Sequence, residues 1–151
     1  MSYFNELYQE VILDHNKRPR NFGELPGADS RANGNNPLCG DRLTVYLKLD
    51  GKTVTDVRFK GAGCAISTAS ASLMTEALKG KTVEEIEHLF ARFRAMVTGK
   101  TSLAEEPAAK LGKLEVFRGV SDYPVRVKCA TLAWHTMLAA LRQSDETVST
   151  E

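Results

Sequence analysis

What this chain lacks narrows its class before anything it contains. It has three cysteines in 151 residues, 25 and 65 positions apart, an odd and widely spread set that makes no disulfide framework. There is no Cys-x-x-Cys pair, so the spacing of a zinc finger is absent as well. Charge of one sign is missing: 20 Lys and Arg stand against 19 Asp and Glu, a formal +1, which offers nothing to nucleic acid or to an anionic membrane. No apolar run reaches the ~18 residues of a membrane span. The opening MSYFNELYQEVILDH carries Glu6, Glu10 and Asp14 where a secretory signal has a basic flank and an unbroken apolar stretch. Internal repeats and low-complexity runs are also absent. The expectation is a soluble cytoplasmic protein without nucleic-acid or membrane partners.

What is present suffices for one core. A 42% hydrophobic content can fold without covalent staples, and the expected organisation is one domain over residues 1–143. The polar tail SDETVSTE, 144–151, is expected to be disordered. Phe4, Leu7, Tyr8, Val11 and Ile12 recur at helical spacing and predict a helix from residue 2 to about 16, ended before Pro19. Residues 20–37, rich in Gly, Asn and Pro, read as a long loop with room for one short strand. Leu43, Val45, Leu47 and Leu49 then alternate with polar neighbours, Asp50-Gly51 supplies a turn, and Val57 and Phe59 resume the alternation. That is an antiparallel hairpin with one buried face.

After it, AISTASASLMTEALKG reads as a helix of small residues closed by Gly80. Thr82 and Glu85 form a capping box for a helix whose apolar face is Val83, Ile86, Leu89, Phe90, Phe93 and Val97. A short helix is expected around 108–116. Pro124 then opens a last helix whose face includes Val125, Cys129, Leu132, Ala133 and Met137. The order of elements predicts an α+β fold, a small antiparallel sheet of about three strands with helices packed on one face.

In NNPLCGDR, Cys39 and Asp41 flank Gly40 immediately before the first hairpin strand. Taken singly, each cysteine is as readily explained as a small buried hydrophobe. Together they say more. Cys39 precedes one hairpin strand and Cys64 follows the other, so a turn at Asp50-Gly51 makes Cys39, Asp41 and Cys64 neighbours. A helix N-terminus beside Cys64 favours its thiolate. Zinc takes four ligands from thiolate, imidazole and carboxylate, and Cys129 is the remaining thiol for a fourth place. Three thiolates and one carboxylate depart from the usual structural zinc sets, which points to a site that exchanges a ligand. None of His15, His88 and His135 is assigned to it. Lys17, Arg18 and Arg20 read as a solvated patch, with a partner surface as the lesser reading.

The segments NNPLCGDRLTVYLKLDG, FKGAGCAISTASASLMTEALKGK and VRVKCATLAWHTM, with ELYQEVILDHNKRPRNFG at the N-terminus, resemble the IscU-like (NifU N-terminal-like) family of iron–sulfur cluster assembly proteins over nearly the whole chain. Within that family the chain is most similar to the SufU type. The stretch between Cys64 and Cys129 is longer than in the classical scaffolds, Lys128 stands where they carry histidine, and YPVRVKC replaces their proline motif for a chaperone. The resemblance implies zinc held by Cys39, Asp41, Cys64 and Cys129, and it alone brings Cys129 into the set. It further implies that Cys39 accepts persulfide sulfur from a pyridoxal-phosphate cysteine desulfurase of the SufS type, with downstream cluster-building machinery as recipient. Arg126 matches a basic SufU-type position that helps organise the site, against the plainer reading of a solvated arginine. Two alternatives stay open: a scaffold assembling a transient [2Fe–2S] cluster on the same cysteines, and a zinc-bearing adaptor without chemistry.

Overall fold

The computed structural model describes residues 3–37, 39–99, 111–142 and 148–149. The first helix, α1 (Tyr3–Lys17), leads into β1 (Ser30–Asn36), β2 (Asp41–Asp50) and β3 (Thr53–Ala62). Then come α2 (Ala65–Leu78), α3 (Val83–Val97), a 3-10 helix (Gly112–Asp122), α4 (Pro124–Leu141) and the two-residue β4 (Val148–Ser149). The sheet order is β3-β2-β1-β4. The first three strands are antiparallel, and β4 alone runs parallel to β1, pairing Gly34 with Val148 and Asn35 with Ser149.

The hairpin forms as the alternation predicts: Leu43, Val45, Leu47, Val57 and Phe59 are buried, and Gly51, at φ +62°, turns the chain between Asp50 and Thr53. Helix α4 lies across β1 and β2, and α2 across β3, so the helices pack on one face of the sheet. Small residues set how closely they approach. A Cβ at Gly34 would fall on Thr136 Oγ1 of α4, so only glycine lets that helix rest on β1 at this spacing. In α2, Ser70 donates to the Ala130 carbonyl of α4 (2.5 Å) and accepts from Trp134 Nε1 (3.2 Å), which satisfies the polar atoms of a Ser/Ala-rich interface. Trp134 stacks with Phe93 at 4.7 Å between ring centroids, tying α3 to α4.

The capping box is made in full: Thr82 Oγ1 accepts from Glu85 N, and the Glu85 carboxylate accepts from Thr82 N. Three readings shift. The helix expected around 108–116 is a 3-10 helix at Gly112–Asp122, burying Leu114, Val116, Phe117 and Val120; residues 108–110 lie outside the described ones. Val125 is 50% exposed rather than part of the apolar face, because it lies in the first turn of α4, before the buried stretch that starts at Cys129. Of the tail expected to be disordered, Val148–Ser149 instead pair with β1, whose outer edge would otherwise present unpaired backbone groups; the tail's other residues lie outside the described ones. Among the described residues no helix is long and apolar enough to cross a membrane.

Candidate metal centre

Four chain segments meet at one end of the sheet. β1 ends at Asn36, whose carbonyl accepts the N–H groups of Cys39 (3.2 Å) and Gly40 (2.8 Å). These two bonds close the turn that carries Cys39. Gly40 sits at φ +73°, a left-handed conformation that suits glycine, and the chain re-enters the sheet with Asp41 paired to Asn36. On the far side of β2, Arg42 pairs with Ala62, which sets Gly63 beside Asp41. A Cβ on Gly63 would lie 2.6 Å from Asp41 Oδ1. The missing side chain leaves the carboxylate its place.

Cys64 follows as the N-cap of α2, its sulfur accepting from Ser67 N (3.4 Å) and its own N–H donating to Asp41 Oδ1 (2.8 Å). Cys129 arrives from the second turn of α4, buried, with its thiol donating to Cys39 Sγ at 3.1 Å. The Asn36 side-chain amide donates to the same Cys129 sulfur at 3.6 Å. Ligand atoms of Cys39, Asp41 and Cys129 all lie within 4.8 Å of one another. Cys64 stands outside that tight triad, joined to it through Asp41.

Asp41 tests whether this corner suits a cation. Its side chain is fully buried, and its Oδ2 has no hydrogen-bond partner among the described residues. A buried carboxylate oxygen with nothing to accept is costly. A metal ion facing it removes the cost, and the Cys39 and Cys129 sulfurs beside it, with Cys64 next to them, are soft donors of the kind zinc or an iron–sulfur cluster takes. The residues present therefore fit such a group. The thiols are also primed unequally. The neighbouring Cys129 thiol, with N–H donors at the start of α2, holds Cys64 down to about 6, while Cys129 is driven up by that pairing and by burial. Ionised Cys64 in turn raises Arg126, the exposed guanidinium that lines the same cleft, with smaller contributions from Cys129 and Cys39. A cleft of about 1020 Å³ opens beside Cys64 and Arg126, walled by Ile12 of α1, Ile66 of α2, Val120 and Tyr123.

The structure thus brings Cys39, Asp41, Cys64 and Cys129 to one corner with Arg126 at its edge. The histidines lie elsewhere: His15 is buried against Ser72 (2.7 Å), and His135 meets Phe90 edge-on. Arg20 pairs with Asp14 (2.7 Å) at the surface, and Lys17 and Arg18 are exposed, in keeping with a solvated patch. Asn36 is the residue that sequence reasoning passed over. Its place directly before Pro37 in NNPLCGD is visible in the sequence, but its reach to a sulfur 93 positions away is not.

A candidate metal site of thiols and a carboxylate at the end of a small α+β sheet is the class that fold and site define. The chain belongs to the NifU-like N terminal domain family, whose model matches residues 7–130. It is 46% identical over 131 residues to the zinc-dependent sulfurtransferase SufU of Bacillus subtilis, covering 87% of this chain and 86% of that one. It is 43% identical over 145 residues to the iron-sulfur cluster assembly scaffold protein IscU of Streptococcus pyogenes, covering 95% and 88%. Among solved structures, the N-terminal part of a nitrogen-fixing NifU-like protein from Brucella abortus superposes with a TM-score of 0.82 at 27% identity, covering 94% of this chain and 96% of that one.

Proposed function

We propose that this protein is a zinc-dependent sulfur acceptor in iron–sulfur cluster assembly, working with a pyridoxal-phosphate cysteine desulfurase of the SufS type. The observation that carries the reading is the buried Asp41 carboxylate with an unpartnered oxygen, set beside the Cys39 and Cys129 sulfurs and holding the Cys64 N–H on its other oxygen. Cys39, Asp41, Cys64 and Cys129 are the ligands. Zinc bound there would keep the thiols deprotonated at neutral pH. The Cys39 thiolate attacks the terminal sulfur of a persulfide on the desulfurase; a new S–S bond forms at Cys39, the partner's S–S bond breaks, and the partner's cysteine leaves as a thiolate. The terminal sulfur keeps its proton as it moves. Arg126 offsets the negative charge of the clustered sulfurs, and the cleft beside Cys64 offers the partner's cysteine-bearing segment a way in. Free thiols and their transfer chemistry fit a reducing cytoplasm.

The likeness to the Streptococcus pyogenes scaffold supports a second reading, a transient [2Fe–2S] cluster on the same cysteines. Elemental analysis of the purified protein, paired with a desulfurase assay, separates the two. Sulfur acceptance predicts about one zinc per chain, little iron, and a stimulation of the desulfurase that Cys39→Ala abolishes. Iron with labile sulfide and no stimulation would establish the scaffold instead. Zinc with a stimulation that survives Cys39→Ala would leave only an adaptor.

A further inference from the structure

The four proposed ligands do not receive equal support from the protein around them. Asp41 Oδ1 accepts from the Cys64 backbone N–H at 2.8 Å, and Cys64 Sγ accepts from Ser67 N at 3.4 Å. Cys129 Sγ accepts from Asn36 Nδ2 at 3.6 Å, a distance suited to the larger sulfur atom. For Cys39 the described residues supply no N–H donor; the single hydrogen bond to its sulfur comes from the Cys129 thiol. Among the described residues, three of the ligands therefore have an N–H donor and Cys39 has none.

We infer that Asn36 is a positioning residue of the metal centre, whose amide holds the Cys129 thiolate in place and thereby leaves Cys39 as the thiolate that exchanges. The inference rests on the zinc reading above. A hydrogen bond to a metal-bound sulfur draws electron density from it, fixes its direction and lowers its nucleophilicity, so the ligand that lacks one is the most nucleophilic and the least tethered by the protein around it. Asn36 is well built for this task. It is fully buried at the last position of β1, it pairs with Asp41 across the sheet, and its carbonyl anchors the turn bearing Cys39. One residue therefore holds the backbone of the exchanging cysteine and the side chain of the fixed one. Aspartate in its place would keep the shape and lose the donor; leucine would keep most of the volume and lose all polarity.

The test uses the full chain. The wild-type protein, loaded with the NMR-active cadmium isotope and labelled with nitrogen-15, should show a scalar coupling between the metal and the Asn36 side-chain amide proton, transmitted through Cys129 Sγ. Zinc-loaded Asn36→Leu, challenged with a chromophoric chelator, should release zinc at least ~10-fold faster than wild type, the usual scale for losing an outer-shell partner of a metal ligand. Its metal-free far-ultraviolet circular dichroism should match wild type. The amide coupling is read on the unmutated chain, so it decides the matter even where the variant fails to fold. An absent coupling, or zinc release within two-fold of wild type, would overturn the role of Asn36 while leaving the zinc reading intact. Failure of the wild-type chain to take up either metal would overturn both.

Discussion

At the scale of single residues, the site depends on one charge that the protein alone does not balance. Asp41 is fully buried, accepts one hydrogen bond at Oδ1, and leaves Oδ2 without a partner among the described residues. Asparagine there keeps the acceptor for the Cys64 N–H and removes the charge. Asp41→Asn should therefore melt, in the metal-free state, at a temperature no lower than wild type, because an uncompensated buried charge has been removed. The same variant should gain much less from added zinc, since stabilisation by a ligand follows its affinity for the folded state. Melting curves with and without zinc decide it; an undiminished zinc increment in Asp41→Asn would show that Asp41 is no ligand. The candidate residues were legible at this scale because thiols and a carboxylate beside glycine are chemically conspicuous. Asn36 was not legible, since a neutral amide before proline has a plain alternative use in turns.

At the scale of elements, legibility followed packing. β2, β3 and α3 advertise themselves because each buries a regular stripe of large apolar side chains. β1 does not: its inward positions are Ala32, Gly34 and Asn36, two of them small and one polar, because α4 lies so close that nothing larger fits. The sequence SRANGNN therefore reads as loop. The join between α1 and α2 was similarly hidden. His15 Nδ1 lies 2.7 Å from Ser72 Oγ, which also accepts from Arg20 N at 2.9 Å, and Thr75 Oγ1 accepts from the Asn21 amide at 3.0 Å. These bonds pin the segment after α1 onto α2.

Burial holds His15 below its ordinary value of 6.5, with Arg20 adding to the effect and Glu76 and Asp14 opposing it. The unfolded chain consequently binds a proton near pH 6.5 that the folded chain still refuses, so stability from this group is complete above about 6.5 and is lost as pH falls through the folded value. His15→Gln removes the titration. The wild type should lose more melting temperature than His15→Gln between about pH 7 and about pH 5.5, the variant serving to cancel the titrations common to both proteins. Parallel pH profiles would contradict this.

At the scale of the whole molecule, the sheet and helices act as a frame that converges on one corner. Cys39 comes from the β1–β2 connection, Asp41 from the first position of β2, Cys64 from the junction of β3 and α2, and Cys129 from α4. The local order of elements told of the first three, since a hairpin must bring its own ends together. No spacing rule carries Cys129 across the 65 residues that separate it from Cys64; that approach exists only because α4 packs over β1 and β2 and beside α2. A candidate ligand set drawn from such distant positions would make the site a property of the completed fold, with the cleft beside Cys64 and Arg126 opening next to it.

The central claim is that Cys39 receives sulfur. The zinc-loaded protein would be mixed with a cysteine desulfurase and free cysteine, alkylated without reductant, digested and mapped by mass spectrometry. The account predicts that the Cys39 peptide gains one sulfur atom, while the Cys64 and Cys129 peptides remain as thiols. Sulfur found on Cys64 or Cys129 instead, or on none of the three while the desulfurase turns over, would contradict it.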